Sequence, residues 1–196
     1  MPSYLVPAGS GEAVFTERGS RFIGVCGNAR DEEAVRSFLR GIREKYPGAA
    51  HYVYAYRLRG GPERFSDDGE PSGTAGSPVY EVLTRRELYD AVLVVTRYFG
   101  GTLLGAGGLV RAYSRAAVLA ADAAGVTETR LWREGTVTVP YALYEQAARL
   151  LGEREAQDMK PDFGAEVTVR FRLPEEGWDG AVQALANLTA GRCRPV

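Results

Sequence analysis

Residues 91–113 read AVLVVTRYFGGTLLGAGGLVRAY, and this stretch decides the architecture. Ala91 to Tyr98 is a continuous apolar and β-branched run, the pattern of a strand covered on both faces. Gly100 to Gly108 is glycine-rich, and an alanine-rich helix follows it to about Ala124. Leu109, Tyr113, Ala116, Ala117 and Ala120 share one face of that helix, and small alanines let it lie close against a sheet. A buried strand, a glycine-rich turn and a helix closing on a sheet point to the α+β class.

Upstream, residues 12–28 read as two strands turning at Arg18-Gly19-Ser20. Asp31 is placed to cap a helix whose apolar positions are Ala34, Val35, Phe38, Leu39 and Ile42, and Pro47-Gly48 stops it. His51 to Leu58 is an aromatic-rich strand. Gly60 to Ser77 is dense in Gly, Pro, Ser and acids and reads as a long loop, a kind of segment that more often carries function than not. Ser77-Pro78 opens a short helix through Leu88.

Downstream, a second domain begins near Gly125, dividing the chain into residues 1–124 and 125–196. Its elements are a strand over Thr136–Val139, a helix with Leu143, Ala147, Leu150 and Leu151, and a strand over Arg154–Lys160 turning at Pro161-Asp162. An alternating strand from Ala165 to Leu173 and a helix with Trp178, Val182 and Leu185 follow. Arg192 to Val196 closes the unit as a short strand. The order βαββαβ is the ferredoxin-like, split-βαβ arrangement.

With 196 residues, 45 % of them apolar, the chain is long enough for two small domains with real cores. A net charge of −1 argues against nucleic-acid binding by bulk electrostatics, although a local arginine groove remains open. Cys26 and Cys193 are far apart and form no CxxC, which speaks against zinc and a disulfide framework. The N-terminus lacks the features of a signal peptide, and no apolar run approaches the roughly 20 residues of a membrane span. The expected compartment is the cytoplasm, with no membrane partner.

Two segments can carry chemistry. In the first, Gly100, Gly101, Gly105, Gly107 and Gly108 leave main-chain N–H groups uncovered, and a helix N-terminus adds unpaired donors and partial positive charge. Arg97, Arg111 and Arg115 supply side-chain charge, the latter two on one helix face at i, i+4 spacing. Together they suit a phosphate-bearing ligand; the same glycines also serve a tight turn with close helix–sheet packing. Neither a Walker P-loop nor a dinucleotide GxGxxG stands here. The second segment is Ser66, Asp67, Asp68, Glu70, Gly73, Thr74 and Gly76. Its carboxylates suit a hard cation such as Mg²⁺, or pairing with those arginines, or an acidic turn with no ligand. No cofactor is expected, Mg²⁺ through Asp67 and Asp68 being the alternative. His51, the only histidine, is an acid–base candidate by residue type and, with no serine or cysteine nucleophile in a recognised pattern, reads more readily as structural. The Tyr52, Tyr54, Tyr56 alternation suits base stacking or, more commonly, packing.

Ser66 through Gly76, followed by Arg97-Tyr98-Phe99-Gly100-Gly101 and then Leu104 through Tyr113, resembles the signature of the IMPACT family in its bacterial branch. Ser20-Arg21-Phe22 and His51 also match the pattern, which adds Arg21 to the candidate surface. The resemblance implies an N-terminal domain similar to a ribosomal-protein domain, to domain IV of elongation factor G and to GHMP kinases. It implies a ferredoxin-like C-terminal domain. Eukaryotic relatives regulate translation under amino-acid starvation, and bacterial relatives are linked to RNA or ribosome binding. GHMP kinases bind ATP through a serine-containing glycine turn, and Ala106-Gly107-Gly108 lacks those serines.

The expectation is therefore a non-catalytic protein contacting RNA, the ribosome or a translation-related protein. Its alternatives are a Mg²⁺-dependent enzyme or binder of a phosphorylated small molecule, and a regulator pairing through the second domain's open sheet face.

Overall fold

The structure, a computed structural model, describes residues 3–193 and residue 195. The chain divides into two compact units, one spanning Tyr4–Thr129 and the other starting at Arg130.

The first unit is built on an antiparallel five-stranded sheet. Its strands are β2 (Gly11–Glu17), β3 (Ser20–Asn28), β4 (His51–Arg57), β5 (Glu63–Ser66) and β6 (Ala91–Tyr98), in the order β2-β3-β6-β4-β5. Helix α1 (Glu32–Lys45) lies on one face, while α2 (Gly76–Arg85) and α3 (Ala106–Ala124) lie on the other. The central position of β6 explains its unbroken apolar run: Leu93 and Val95 enter the core under α2 and α3, and Val92 and Val94 enter the core under α1. Asp31 caps α1, its carboxylate accepting the Ala34 N–H at 2.7 Å, with Glu32 and Glu33 in the first turn and Arg43 and Lys45 in the last. That charge order complements the helix dipole. A Cβ on Gly24 of β3 would stand 2.5 Å from the Ala116 carbonyl oxygen, so α3 approaches the sheet as closely as its alanines allow.

Three short strands lie outside the expected pattern: β1 (Ser3–Pro7), β5, and β7 (Val126–Arg130), which pairs with β1. β7 carries the first unit past Gly125. The segment Gly60–Ser77 is not all loop, since β5 pairs with β4 and α2 starts at Gly76. Helix α2 also ends at Arg85, three residues before Leu88.

The second unit holds β8 (Trp132–Val139), α4 (Tyr141–Gly152), β9 (Gln157–Phe163), β10 (Val167–Pro174) and α5 (Trp178–Leu188). The antiparallel sheet order is β8-β10-β9, and both helices pack into one core with Val137, Val139, Val169 and Leu173. Pro161 sits inside β9 and does not turn the chain there. β9 is an edge strand, where a proline need not donate to the ladder, and the turn falls at Gly164. The expected closing strand is absent at Arg192 and Cys193, where Ala190 and Gly191 take positive φ and Thr189 Oγ1 accepts the Cys193 N–H. Arg194 and Val196 of that expected strand lie outside the described residues. Both units mix helices with antiparallel sheet, so the chain is α+β.

Candidate functional site

The segment from Ser66 to Gly76 folds onto the end of the sheet where β4 begins and β6 finishes. Asp67 organises it. One carboxylate oxygen accepts the Ala75 and Gly76 N–H groups at 3.0 and 2.8 Å, and the other accepts the Gly73 N–H at 2.9 Å. Burial works against its charge, but these three donors outweigh it and hold the carboxyl below the usual aspartate range. Asp68, at φ +44°, accepts the Tyr52 N–H at 2.6 Å, and its own N–H donates to Ser66 Oγ at 3.1 Å. Thr74 is buried and donates its hydroxyl to the Pro71 carbonyl at 2.6 Å. A Cβ on Gly76 would meet the Ser66 carbonyl at under 3 Å, so the segment closes on itself.

Glu70 is the residue this turn delivers inward. It is 8 % exposed, and its Oε1 accepts from Arg97 Nη1 at 2.6 Å and from the Tyr113 hydroxyl at 2.7 Å. Arg97 is 5 % exposed and donates a second bond to Ser20 Oγ at 3.3 Å. Burial, then the hydrogen bond to Glu70, raises the Tyr113 phenol well above its ordinary value, so it stays protonated as a donor. His51 stands opposite Arg97 in the ladder, with Nε2 3.7 Å from Glu70 Oε1. Its Nδ1 lies 2.8 Å from the Asp68 carbonyl oxygen, which can only accept, so Nδ1 carries a proton.

These contacts revise the expected roles. Arg97 is not a surface contact for phosphate; it is the buried counter-ion of Glu70, because it alternates with Leu93 and Val95 toward the core. Asp67 turns both oxygens to the chain's own amides, while Asp68 gives one to the Tyr52 amide and the other faces the Arg43 guanidinium at 3.5 Å, so the pair does not fit a Mg²⁺ ion without rearranging the turn. The amides of Gly73 and Gly76 are already occupied. Gly100 also donates, to Ser20 Oγ at 3.2 Å, and a Cβ on it would lie 1.8 Å from the Gly19 carbonyl carbon. Arg21 alternates with Phe22 and points to the α1 side of the sheet, away from α3.

Of the remaining candidates, Gly108, Arg111 and Arg115 come together, while Gly101, Gly105 and Gly107 do not line the same groove. Gly105, at φ +70°, precedes α3 without a side-chain cap, and Gly107 and Gly108 lie in the first turn. Beside them a groove of about 260 Å³ is lined by Phe15, Arg18, Leu104, Gly108, Arg111 and Arg115, among others, with Glu17 its one acid. Among the described residues, none of the three arginines is in an ion pair. The Arg115 guanidinium lies 4.9 Å over the Phe15 ring, which stacks on Phe22 at 5.2 Å. The turn leading to α3 exposes Phe99 and Leu103, at 52 % and 80 %. Sequence reasoning missed as site residues Arg18, in the hairpin turn, and Phe15, on the strand before it. It also missed Tyr113 as a partner of Glu70, although its place on the buried face of α3 was the available signal. Among the described residues, no helix is long and apolar enough to cross a membrane.

The signature of the Impact N-terminal domain matches residues 18–121, and that of a domain of unknown function (DUF1949) matches residues 137–192. The chain is 34 % identical over 194 residues to the IMPACT family member YvyE of Bacillus subtilis, covering 97 % of this chain and 88 % of that protein. It is also 34 % identical over 179 residues to YigZ of Escherichia coli, covering 89 % and 87 %. A crystal structure described only as that of a hypothetical protein superposes with a TM-score of 0.74 at 32 % identity, covering 100 % of this chain and 97 % of the other. Two domain signatures in order, and a relative matched along nearly its whole length, make this chain a member of the IMPACT family.

Proposed function

We propose that the chain is a non-catalytic binding protein of the translation apparatus, acting in the cytoplasm, and that its first unit contacts RNA phosphates through the groove beside α3. One observation carries this reading: Arg18, Arg111 and Arg115 share a groove next to the uncapped start of a helix. Guanidinium groups and helix N-terminal amides are both suited to phosphate oxygens. The link to translation comes from the family, whose eukaryotic members are translation regulators. Because Arg97 is buried, the proposed contact is the α3 groove and not the sheet end. The occupied carboxylates of Asp67 and Asp68 weigh against a Mg²⁺-dependent enzyme.

Cosedimentation with ribosomes and anisotropy with RNA oligonucleotides at rising KCl test the proposal. Binding should be retained at low salt and fall steeply as salt rises. Each of Arg111→Ala and Arg115→Ala should weaken it similarly across sequences and flatten the salt slope by about 1 per lost phosphate contact. Unchanged affinity in the double variant, or no association at low salt, refutes it.

A further inference from the structure

The open face of the second unit's sheet carries an unusual pair. On β10, Val167, Val169 and Phe171 face the core, so Thr168, Arg170 and Arg172 face the other way. Arg170 stands directly opposite Lys160 on β9 and opposite Thr136 on β8. Like charges directly across a ladder repel, so the sheet gains nothing from placing them together. Among the described residues, neither cation is in an ion pair. Their neighbour differs: Arg172 is bound by Asp158 at 2.8 Å and donates to Gln157 at 3.2 Å.

Arg170, Lys160 and Thr136 line one hollow of about 440 Å³. Its acids, Glu134 and Asp158, gather at the Arg172 end, Glu134 lying opposite Arg172 in register. Asp162 lies on the far side, opposite Thr168. Between them the two free cations are bordered by hydroxyls, Thr138 and Thr168 being 3.0 Å apart across the strands.

We propose that Arg170 and Lys160 together take a phosphate group of a single-stranded nucleic acid laid across this face. A shared anion is what turns their mutual repulsion into binding energy. The central positions of the face are threonine and charge, whereas the buried centres of protein interfaces are depleted of charge and built on apolar anchors. The hollow opens onto the sheet surface and is lined mainly by charged residues, which suits a phosphate better than a base. Three strands are about 10 Å across from first to third, room for one extended strand and too narrow a platform for a broad interface. This contact lies in a different unit from the α3 groove and uses different residues, so either can stand without the other.

The test is anisotropy of the full chain with a labelled single-stranded oligoribonucleotide and its duplex, titrated at several KCl concentrations. The variants are Lys160→Thr with Arg170→Thr and, separately, Arg111→Ala with Arg115→Ala. The Lys160/Arg170 double variant should bind the single strand about tenfold more weakly at low salt. Its slope of log affinity against log salt should be shallower by about 0.7, the value for one phosphate on a single strand. Without RNA the same variant should melt no lower than the parent, since a repulsion has been removed. Unchanged affinity and slope in this variant overturn the proposal, even if the Arg111/Arg115 variant fails to bind; the reverse result supports it and removes the groove reading. Duplex bound as tightly as single strand by the Arg111/Arg115 variant also overturns it, and absence of binding by the parent chain overturns both.

Discussion

Glu70 Oε1 lies 2.6 Å from Arg97 Nη1, and the two residues, 27 apart in sequence, are both more than nine-tenths buried. Tyr113 donates to the same oxygen from α3, so one carboxylate ties the acidic turn, the central strand and a helix together. The charges leave water for this contact, and the desolvation cost makes the pair intolerant of losing one member. Replacing Glu70 with Ala strands Arg97 as an uncompensated buried cation. That substitution should cost about 3–5 kcal/mol in urea unfolding. Glu70→Leu combined with Arg97→Met should cost less than the sum of the two single changes. A loss below about 1 kcal/mol for Glu70→Ala would show that the pair is solvated in solution.

Asp67 gives the acidic turn its pH dependence. Its carboxyl is held below the unfolded value of about 3.9, so its stabilisation is fully present above that value. It is lost as pH falls through the folded value. Protection of the Gly73, Ala75 and Gly76 amides, measured against their intrinsic exchange rates at each pH, should therefore be high at neutral pH and fall below about pH 4. In Asp67→Ala the same amides should have lost that protection at both pH values.

Gly24 allows α3 to lie against β3. Alanine at this position would place a methyl 2.5 Å from the Ala116 carbonyl oxygen, a main-chain atom that cannot rotate away. Gly24→Ala should lower stability by about 1–3 kcal/mol, read by thermal or urea unfolding. Gly41, with open space around its α-carbon, is the control: Gly41→Ala in α1 should be neutral or stabilising.

Burial pushes the Cys26 thiol up to about 12, so it is neutral at physiological pH. Iodoacetamide at pH 8 should leave Cys26 unmodified in the folded chain and alkylate it once urea unfolds the protein. Mass spectrometry of the peptide spanning Cys26 reads the difference. Labelling at the same rate with and without urea would mean that the core under α3 opens readily.

The main elements were legible because their signals are local. Ala91–Tyr98 announces a doubly covered strand by composition, and the alternation from Val167 to Leu173 announces a half-buried one. β1, β5 and β7 were not legible, since each is short and is formed by what it pairs with. Arg97 carried a readable clue: it alternates with Leu93 and Val95, so its side chain enters the same core. Its partner did not, because Glu70 sits among Gly, Pro and Ser with no periodicity to say which acid turns inward. Arg18 and Arg115 line one groove from positions too far apart in sequence for any local pattern to link.

Gly19 and Gly100 touch main chain to main chain, with no side chain between them. Side chains can change rotamer, but a backbone seated on a backbone has no such slack. The hairpin tip bearing Arg18 and the turn that leads to the helix bearing Arg111 are thereby seated on one another at the main chain, like two stones laid without mortar. A side chain at either glycine would force the two segments apart, so the groove keeps its shape only while both positions stay bare.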